Sequence, residues 1–528
     1  VRLPAALRRR EESGVACIAG VVLAGLILGP LGAVLSTSTP PALDFGVAHV
    51  DLQLAAWVGS AAQLFLTSCG FAAAVTLSAL VVGIPLGVLL GRFDVPGRDW
   101  ALLIHAFPFF APPFLLALGW FHVFGADGFA GSVTTSRVLF SWSGACIVLT
   151  LALSPVVTLL VVLGVRGVDP RLVEAARLAA RPSALAARVL LPLSAPALRL
   201  AALVTFALAF SELGVPMFLR VKVYPEAVFS RLGGMDPVAG EAAMLALPML
   251  VLSLALLGGE RWLALRGDAA GLSWRSPECP LPLGRWRSII GVAVWTWIGI
   301  SLLPILALGI RAAPALGEMG EWTGRSVLNS LGAGAATASA ATALALAVGW
   351  RIGRRRRGSR WFDAVAFLGF VAPAALLGIG LGHLWNRPRT QGLHGSLAII
   401  VLGLLARYAV IPIRSVATGV AQTSSSTEEA AEIAGASFLR RLLAIVAGEQ
   451  RRILAAAWVL GFVFAIRDLE TSVLLYPPGG EPLTVRIFTL EANGPESVVA
   501  ALASLQILLT AGVLLAGGGL VRLVGRAR

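Results

Sequence analysis

The sequence predicts an all-α polytopic membrane protein, with about 12 transmembrane helices arranged as two homologous six-helix halves. Three observations predict it. The chain is 57% hydrophobic and only 13% charged, and its apolar residues gather in runs of about 20, enough to cross a bilayer. These runs do not alternate, so helices rather than barrel strands are expected. The net charge of +14 is carried almost wholly by arginine, with Lys222 the one lysine. The arginines fall in short loops between spans, where membrane topology requires them, so no nucleic-acid partner is implied. Finally, the second half of the chain repeats the first.

The expected spans of the first half are roughly 15–35, 64–91, 100–124, 138–164, 195–215 and 242–262. Those of the second are roughly 288–310, 327–350, 361–384, 396–417, 451–474 and 498–520. The basic tract Arg8-Arg9-Arg10 gives the first run a signal-peptide look. The run is too long for that, and is read as a retained helix. With the N-terminus placed in the cytoplasm, the inner segments hold 30 Lys and Arg and the outer loops 9. That bias sets the orientation. The halves are residues 1–265 and 288–528. A polar, turn-rich linker at 266–287 carries Gly271, Pro277, Pro280 and Pro282, and is expected to be mobile.

The repeat is legible residue by residue. Thr67-Ser68 corresponds to Asn329-Ser330 and Gly91-Arg92 to Gly353-Arg354, both offset by 262. Phe110-Ala111-Pro112 corresponds to Val371-Ala372-Pro373 at offset 261, and Glu212-Leu213 to Asp468-Leu469 at offset 256. Between the fourth and fifth expected spans of each half lies a polar loop. In the second, Ser426 and Glu429 have capping-box spacing, so a helix is expected to start there. Gly435 is placed to turn the chain. An amphipathic segment follows from Phe438 to Val446, with Arg440 and Arg441 on one side. In the first, Asp169-Pro170 supplies a cap and a first-position proline. Glu174-Ala175-Ala176 then matches Glu429-Ala430-Ala431 at offset 255.

Glu429-Ala430-Ala431 with Gly435 six residues after the Glu resembles the EAA loop of ABC-importer permeases, and the resemblance covers essentially the whole chain. Within that family the chain is most similar to the ferric-iron class. The words that carry this are Leu474-Leu475-Tyr476-Pro477-Pro478-Gly479-Gly480 and Leu483-Thr484-Val485-Arg486-Ile487-Phe488. Permeases for thiamine, phosphonates and polyamines share the architecture. The resemblance implies a bacterial inner-membrane subunit that takes solute from an extracytoplasmic binding protein. It also implies coupling to a separate ATPase, in two copies, that carries ATP and Mg. The implied coupling residues are Glu174, Ala175, Ala176, Ala179, Arg188 and Pro192 in the first loop. In the second they are Glu429, Ala430, Ala431, Gly435 and Arg440. Both loops depart from the pattern: the first has Ala179 or Ala180 where the turn glycine belongs and is one residue short, and the second has Gly448 where its proline belongs.

The residues themselves point to transport rather than catalysis. A P-loop needs a glycine-rich turn before its lysine, and Lys222 has none, so ATP hydrolysis is expected of a partner. No Ser/His/Asp arrangement is recognisable. Five histidines are too scattered for a metal cage, and Cys17, Cys69, Cys146 and Cys279 form no CxxC pair. No catalytic, cofactor or metal residues are therefore assigned. An ion-coupled secondary transporter fits the span count but leaves the two polar loops unexplained. A membrane-embedded transferase lacks paired catalytic residues. Ionisable residues within spans are functional candidates by default. Glu212, Asp468, Glu470, His122 and His383 are the candidate pathway residues, toward the outer mouth. The rival reading has the acids pairing with Arg467 or meeting interfacial water, and the histidines simply interfacial. Arg407 is expected to snorkel to the cytoplasmic face.

Overall fold

The structure, a computed structural model, describes residues 5–37, 47–179, 181–233, 239–266 and 280–526. Among these the chain is all helix, apart from one isolated bridge between Phe93 and Leu281. The first half contributes α1 (Ala5–Thr37), α2 (Val47–Arg92), α3 (Arg98–Phe110), α4 (Pro113–Phe124), α5 (Trp142–Gly167), α6 (Pro170–Ala179), α7 (Ala195–Ser211), α8 (Tyr224–Gly233) and α9 (Ala239–Arg266). The second contributes α10 (Arg287–Ala312), α11 (Ser326–Gly353), α12 (Ser359–Val371), α13 (Ala374–Trp385), α14 (Leu397–Tyr408), α15 (Val410–Gln422), α16 (Ser426–Ile433), α17 (Arg451–Arg467), α18 (Glu470–Leu475), α19 (Leu483–Glu491) and α20 (Glu496–Arg526). Among the described residues seven helices are long and apolar enough to cross a membrane, or up to 11 if each of four bent pairs counts as one span. The chain is an all-α polytopic membrane protein.

The third and ninth expected spans are not straight rods. α3 and α4 meet at 99°, and α12 and α13 at 103°. Both breaks fall on the repeated Ala-Pro word. Ala111 (φ −77°, ψ 148°) and Ala372 (φ −64°, ψ 126°) are extended, as expected of a residue before proline. The proline that follows has no N–H to continue the ladder. The fifth and eleventh spans end earlier than expected, at Glu212 (φ −66°, ψ 123°) and Asp468 (φ −70°, ψ 122°). At 1.5 Å per residue, α17 is about 25 Å long, short of a full hydrocarbon core.

The chain divides into two compact units that cut across the linear halves. One contains Val1–Pro41, Val228–Ser253 and Gly317–Arg528; the other contains Ala42–Ala227 and Leu254–Leu316. Thus α1 packs among second-half helices, chiefly α13, and α10 among first-half helices, chiefly α4. Two glycines that are repeat mates at offset 261 make these approaches possible. A Cβ on Gly119 would collide with the Pro304 carbonyl of α10, and one on Gly380 with the Pro30 carbonyl of α1. Each half has therefore kept a bare backbone patch for the other half's first helix.

Most of the predicted linker, 267–279, lies outside the described residues. Its end, from Pro280 on, is hydrogen-bonded to the first half. Leu281 exchanges backbone hydrogen bonds with the turn after α2, donating to the Arg92 carbonyl (2.8 Å) and accepting from Asp94 N–H (3.1 Å). The Asp94 carboxylate accepts from Leu283 N–H at 2.7 Å and pairs with Arg287 at 3.3 Å.

Candidate functional site

The two polar loops are the surfaces on which sequence and structure converge. In the first, α6 begins as expected: Asp169 Oδ1 accepts from Arg171 N–H at 2.9 Å. Glu174, Ala175, Arg188 and Pro192 are exposed and Ala176 is half-buried. Of the two candidate positions for the missing glycine, Ala180 lies outside the described residues, as does the side chain of Ala179. The loop continues through Pro182–Leu193, which contains a π-helical stretch at Ala186–Leu190, and then bends 71° into α7.

In the second loop the expected capping box is not formed. α16 starts one residue earlier, with Ser425 as N-cap. Ser425 Oγ instead donates to Glu429 Oε1 at 2.5 Å, and Ser424 Oγ accepts from Ser426 N–H at 3.2 Å. With three serines in a row, the chain settles on the register in which Glu428, not Glu429, faces inward. Gly435 turns the chain as predicted. Its φ is +92°, a region that L side chains avoid. Ala436 N–H reaches back to the Ala431 carbonyl (2.9 Å), the 6→1 bond of a Schellman ending. Arg441 is buried and pairs with Glu432 at 2.8 Å, while Arg440 is exposed.

Three further residues hold this loop to its helix bundle. Glu428 is buried and accepts from Trp350 Nε1 at 2.8 Å, Arg354 Nε at 3.1 Å and Arg354 Nη2 at 2.5 Å. Arg354 also donates to the Thr423 and Ser424 carbonyls at 2.7 and 3.2 Å, capping the end of α15. Beyond the Gly435 turn, Phe438 packs on the Trp350 ring, centroids 4.8 Å apart. Both arms of the loop therefore close on the end of α11. In the first half the same offsets put Val88 at the Trp350 position and Val173 at that of Glu428, both buried. Arg92, the mate of Arg354, spends its guanidinium on the Val165 and Val168 carbonyls (2.7 and 2.6 Å). One loop is held by an ion pair and the other by apolar packing. Sequence reasoning missed Glu428 and Trp350 and saw Arg354 only as part of the repeated Gly-Arg word; the i, i+4 spacing of Trp350 and Arg354 was a further signal.

Each loop also presents bare apolar side chains. Leu178 is 92% exposed and Ile433 77%. Burying either offers roughly 1.5–3 kcal/mol to whatever covers it.

The candidate pathway acids are organised differently from expectation. Arg407 does not snorkel. It is buried and lies 3.2 Å from Asp468 Oδ2 and 2.5 Å from Glu470 Oε2. Tyr408 Oη donates to Asp468 Oδ2 at 2.7 Å. The other carboxylate oxygen accepts from Thr471 and Ser472 N–H at 2.8 and 3.1 Å, so Asp468 satisfies first-turn donors of α18 from the residue before its N-cap, Leu469. Snorkelling is defeated because the buried acids offer a closer partner than the interface. Glu212 does the parallel capping, accepting from Val215 N–H at 3.3 Å. The serine caps Ser141 and Ser396 align α5 with α14 at offset 255. That alignment puts Ala152 opposite Arg407, so the charged knot belongs to the second half alone. His122 is buried in α4, whereas its mate His383 is exposed. Another pair of mates acts alike: Ser68 Oγ accepts from Tyr224 N–H (2.8 Å), and Ser330 Oγ from Leu483 N–H (2.7 Å). Each serine holds the first N–H of a short helix, α8 or α19, the second helix after the break at Glu212 or Asp468.

No family model matches the chain. Over 152 residues, 29% of its length, it is 28% identical to a Salmonella paratyphi A protein named 2-aminoethylphosphonate transport system permease protein PhnV. The PhnV protein of Salmonella typhimurium matches over the same length at the same identity. The chain spans 57% of the length of these relatives. The likeness supports a relationship to ABC-importer permeases.

Proposed function

We propose that the chain is the membrane permease of a binding-protein-dependent ABC importer in a bacterial inner membrane, with its N-terminus in the cytoplasm. One observation carries the reading. Both halves hold out the same polar helical loop between corresponding helices, each with an exposed Glu-Ala pair and an uncovered apolar side chain. Loops of this kind suit docking onto two copies of a separate ATPase, which would bring ATP and Mg. Glu174, Ala175, Ala176, Ala179, Arg188 and Pro192 would serve on one loop, and Glu429, Ala430, Ala431, Gly435 and Arg440 on the other. An extracytoplasmic binding protein would supply the solute.

Two solutes compete. The Leu474–Gly480 and Leu483–Phe488 words favour ferric iron, whereas the name of the matched relatives favours a phosphonate. In the knot, Asp468 and Glu470 share Arg407 as a partner, whereas Glu212 lies outside it and accepts from Val215 N–H. Uptake of radiolabelled ferric iron and of 2-aminoethylphosphonate into cells expressing the system decides between them. The family reading is tested by Gly435→Pro, which cannot adopt φ +92°. Uptake should fall to background while the chain remains inserted. Unchanged uptake would overturn the reading.

A further inference from the structure

The turn between α11 and α12 contains four consecutive arginines, Arg354–Arg357, followed by Arg360 and Trp361. The turn is tight. Arg355 has φ +50° and Gly358 φ +81°; Arg356 N–H bonds to the Arg351 carbonyl (3.1 Å) and Ser359 N–H to that of Arg356 (3.0 Å). Some of the charge is spent internally. Arg354 serves Glu428, and Arg356 lies over the Trp350 ring at 5.6 Å. Arg355, Arg357 and Arg360 are exposed, and their guanidiniums make no hydrogen bond or ion pair among the described residues. The neighbouring acids are committed elsewhere, Asp363 to Arg414 at 2.8 Å and Glu428 to Arg354.

The repeat supplies the comparison. Gly353-Arg354 corresponds to Gly91-Arg92, but the first-half turn continues Phe93-Asp94-Val95-Pro96-Gly97-Arg98-Asp99, so that with Arg92 its two bases are balanced by two acids. Asp94 is paired with Arg287, and the linker's end is hydrogen-bonded along this turn. The second-half turn has neither acids nor, among the described residues, a strand of chain bonded along it.

Position narrows what could neutralise it. The turn joins the apolar span Ser326–Gly353 to the first arm of a bent apolar pair, so its arginines lie within a few residues of hydrocarbon depth. Its tightness keeps it there, and Trp361, 55% exposed, is a residue type that settles at the headgroup level. Guanidinium groups bind phosphate bidentately. We propose that Arg355, Arg357, Arg360 and Trp361 form a docking surface for the headgroups of anionic phospholipids. An arginine near a charged membrane surface contributes about five-fold in affinity, so three contribute roughly a hundred-fold.

The test uses the full chain in detergent, titrated with phosphatidylglycerol or phosphatidylcholine and read as bound lipid by native mass spectrometry. The triple variant R355Q/R357Q/R360Q is compared with a charge-matched control, R137Q/R387Q/R389Q, at positions elsewhere in the chain. Size-exclusion elution confirms that both fold. The wild type should prefer phosphatidylglycerol, the turn variant should lose about a hundred-fold in that affinity, and the control should stay within about two-fold. Equal binding of the two lipids by the wild type would overturn the proposal, as would equal losses in both triple variants. So would a turn variant that keeps its lipid but no longer captures an ATPase subunit, since that surface would then serve a protein.

Discussion

Arg354 Nη2 lies 2.5 Å from Glu428 Oε1, and this one ion pair joins the end of α11, the end of α15 and the start of α16. The side chains are 13% and 7% exposed. A buried pair is not by itself a large source of stability, because desolvation offsets much of the attraction. Its importance is directional. A movement of α16 cannot leave Arg354 behind without exposing an unpaired charge.

Breaking that pair from one side should therefore cost far more than removing it. Arg354→Met or Glu428→Leu alone is expected to destabilise by roughly 3–5 kcal/mol, and the double variant by clearly less. Thermal unfolding in detergent measures this. Hydrogen exchange should show the single variants loosening 426–446 while 170–190 is unchanged.

The knot around Arg407 makes a parallel prediction inside the membrane. Arg407→Met removes the cation that Asp468 and Glu470 share, and should lower the yield of folded, inserted protein, at a cost of roughly 3–5 kcal/mol. Adding Asp468→Asn and Glu470→Gln should restore much of the loss. A triple variant no better than the single would show that Arg407 acts through packing rather than charge.

Ser68 and Ser330 test the repeat directly. Ser68→Ala and Ser330→Ala each leave a buried N–H, of Tyr224 or Leu483, without its acceptor. Each should cost about 1–3 kcal/mol, and the two effects should add. Thermal midpoints of the single and double variants check both points.

The purified chain alone is expected to show no ATP hydrolysis above background, because Lys222 lacks the glycine-rich turn that would seat a phosphate. A phosphate-release assay on the wild type decides. Specific, saturable hydrolysis would end the division of labour proposed above.

Much of this molecule follows from local sequence. Runs of about 20 apolar residues dictate helices that satisfy their own backbone in lipid. Gly435 dictates a left-handed turn, because only glycine enters that region without penalty. Asp169-Pro170 dictates the start of α6, and the Ala-Pro words at 111–112 and 372–373 mark where two spans break. Duplication made these signals stronger by stating each twice. What the sequence could not decide was partnership between residues far apart in the chain. Whether Glu428 or Glu429 faces inward depends on a helix register set by Trp350 and Arg354, more than 70 residues away. Whether Arg407 snorkels or stays depends on Asp468 and Glu470, about 60 residues on. Which half receives α1 and which receives α10 depends on backbone patches at Gly380 and Gly119. Propensity and hydropathy are properties of neighbours along the chain, whereas burial, charge pairing and close backbone approach are properties of neighbours in space, so only the tertiary structure could assign them.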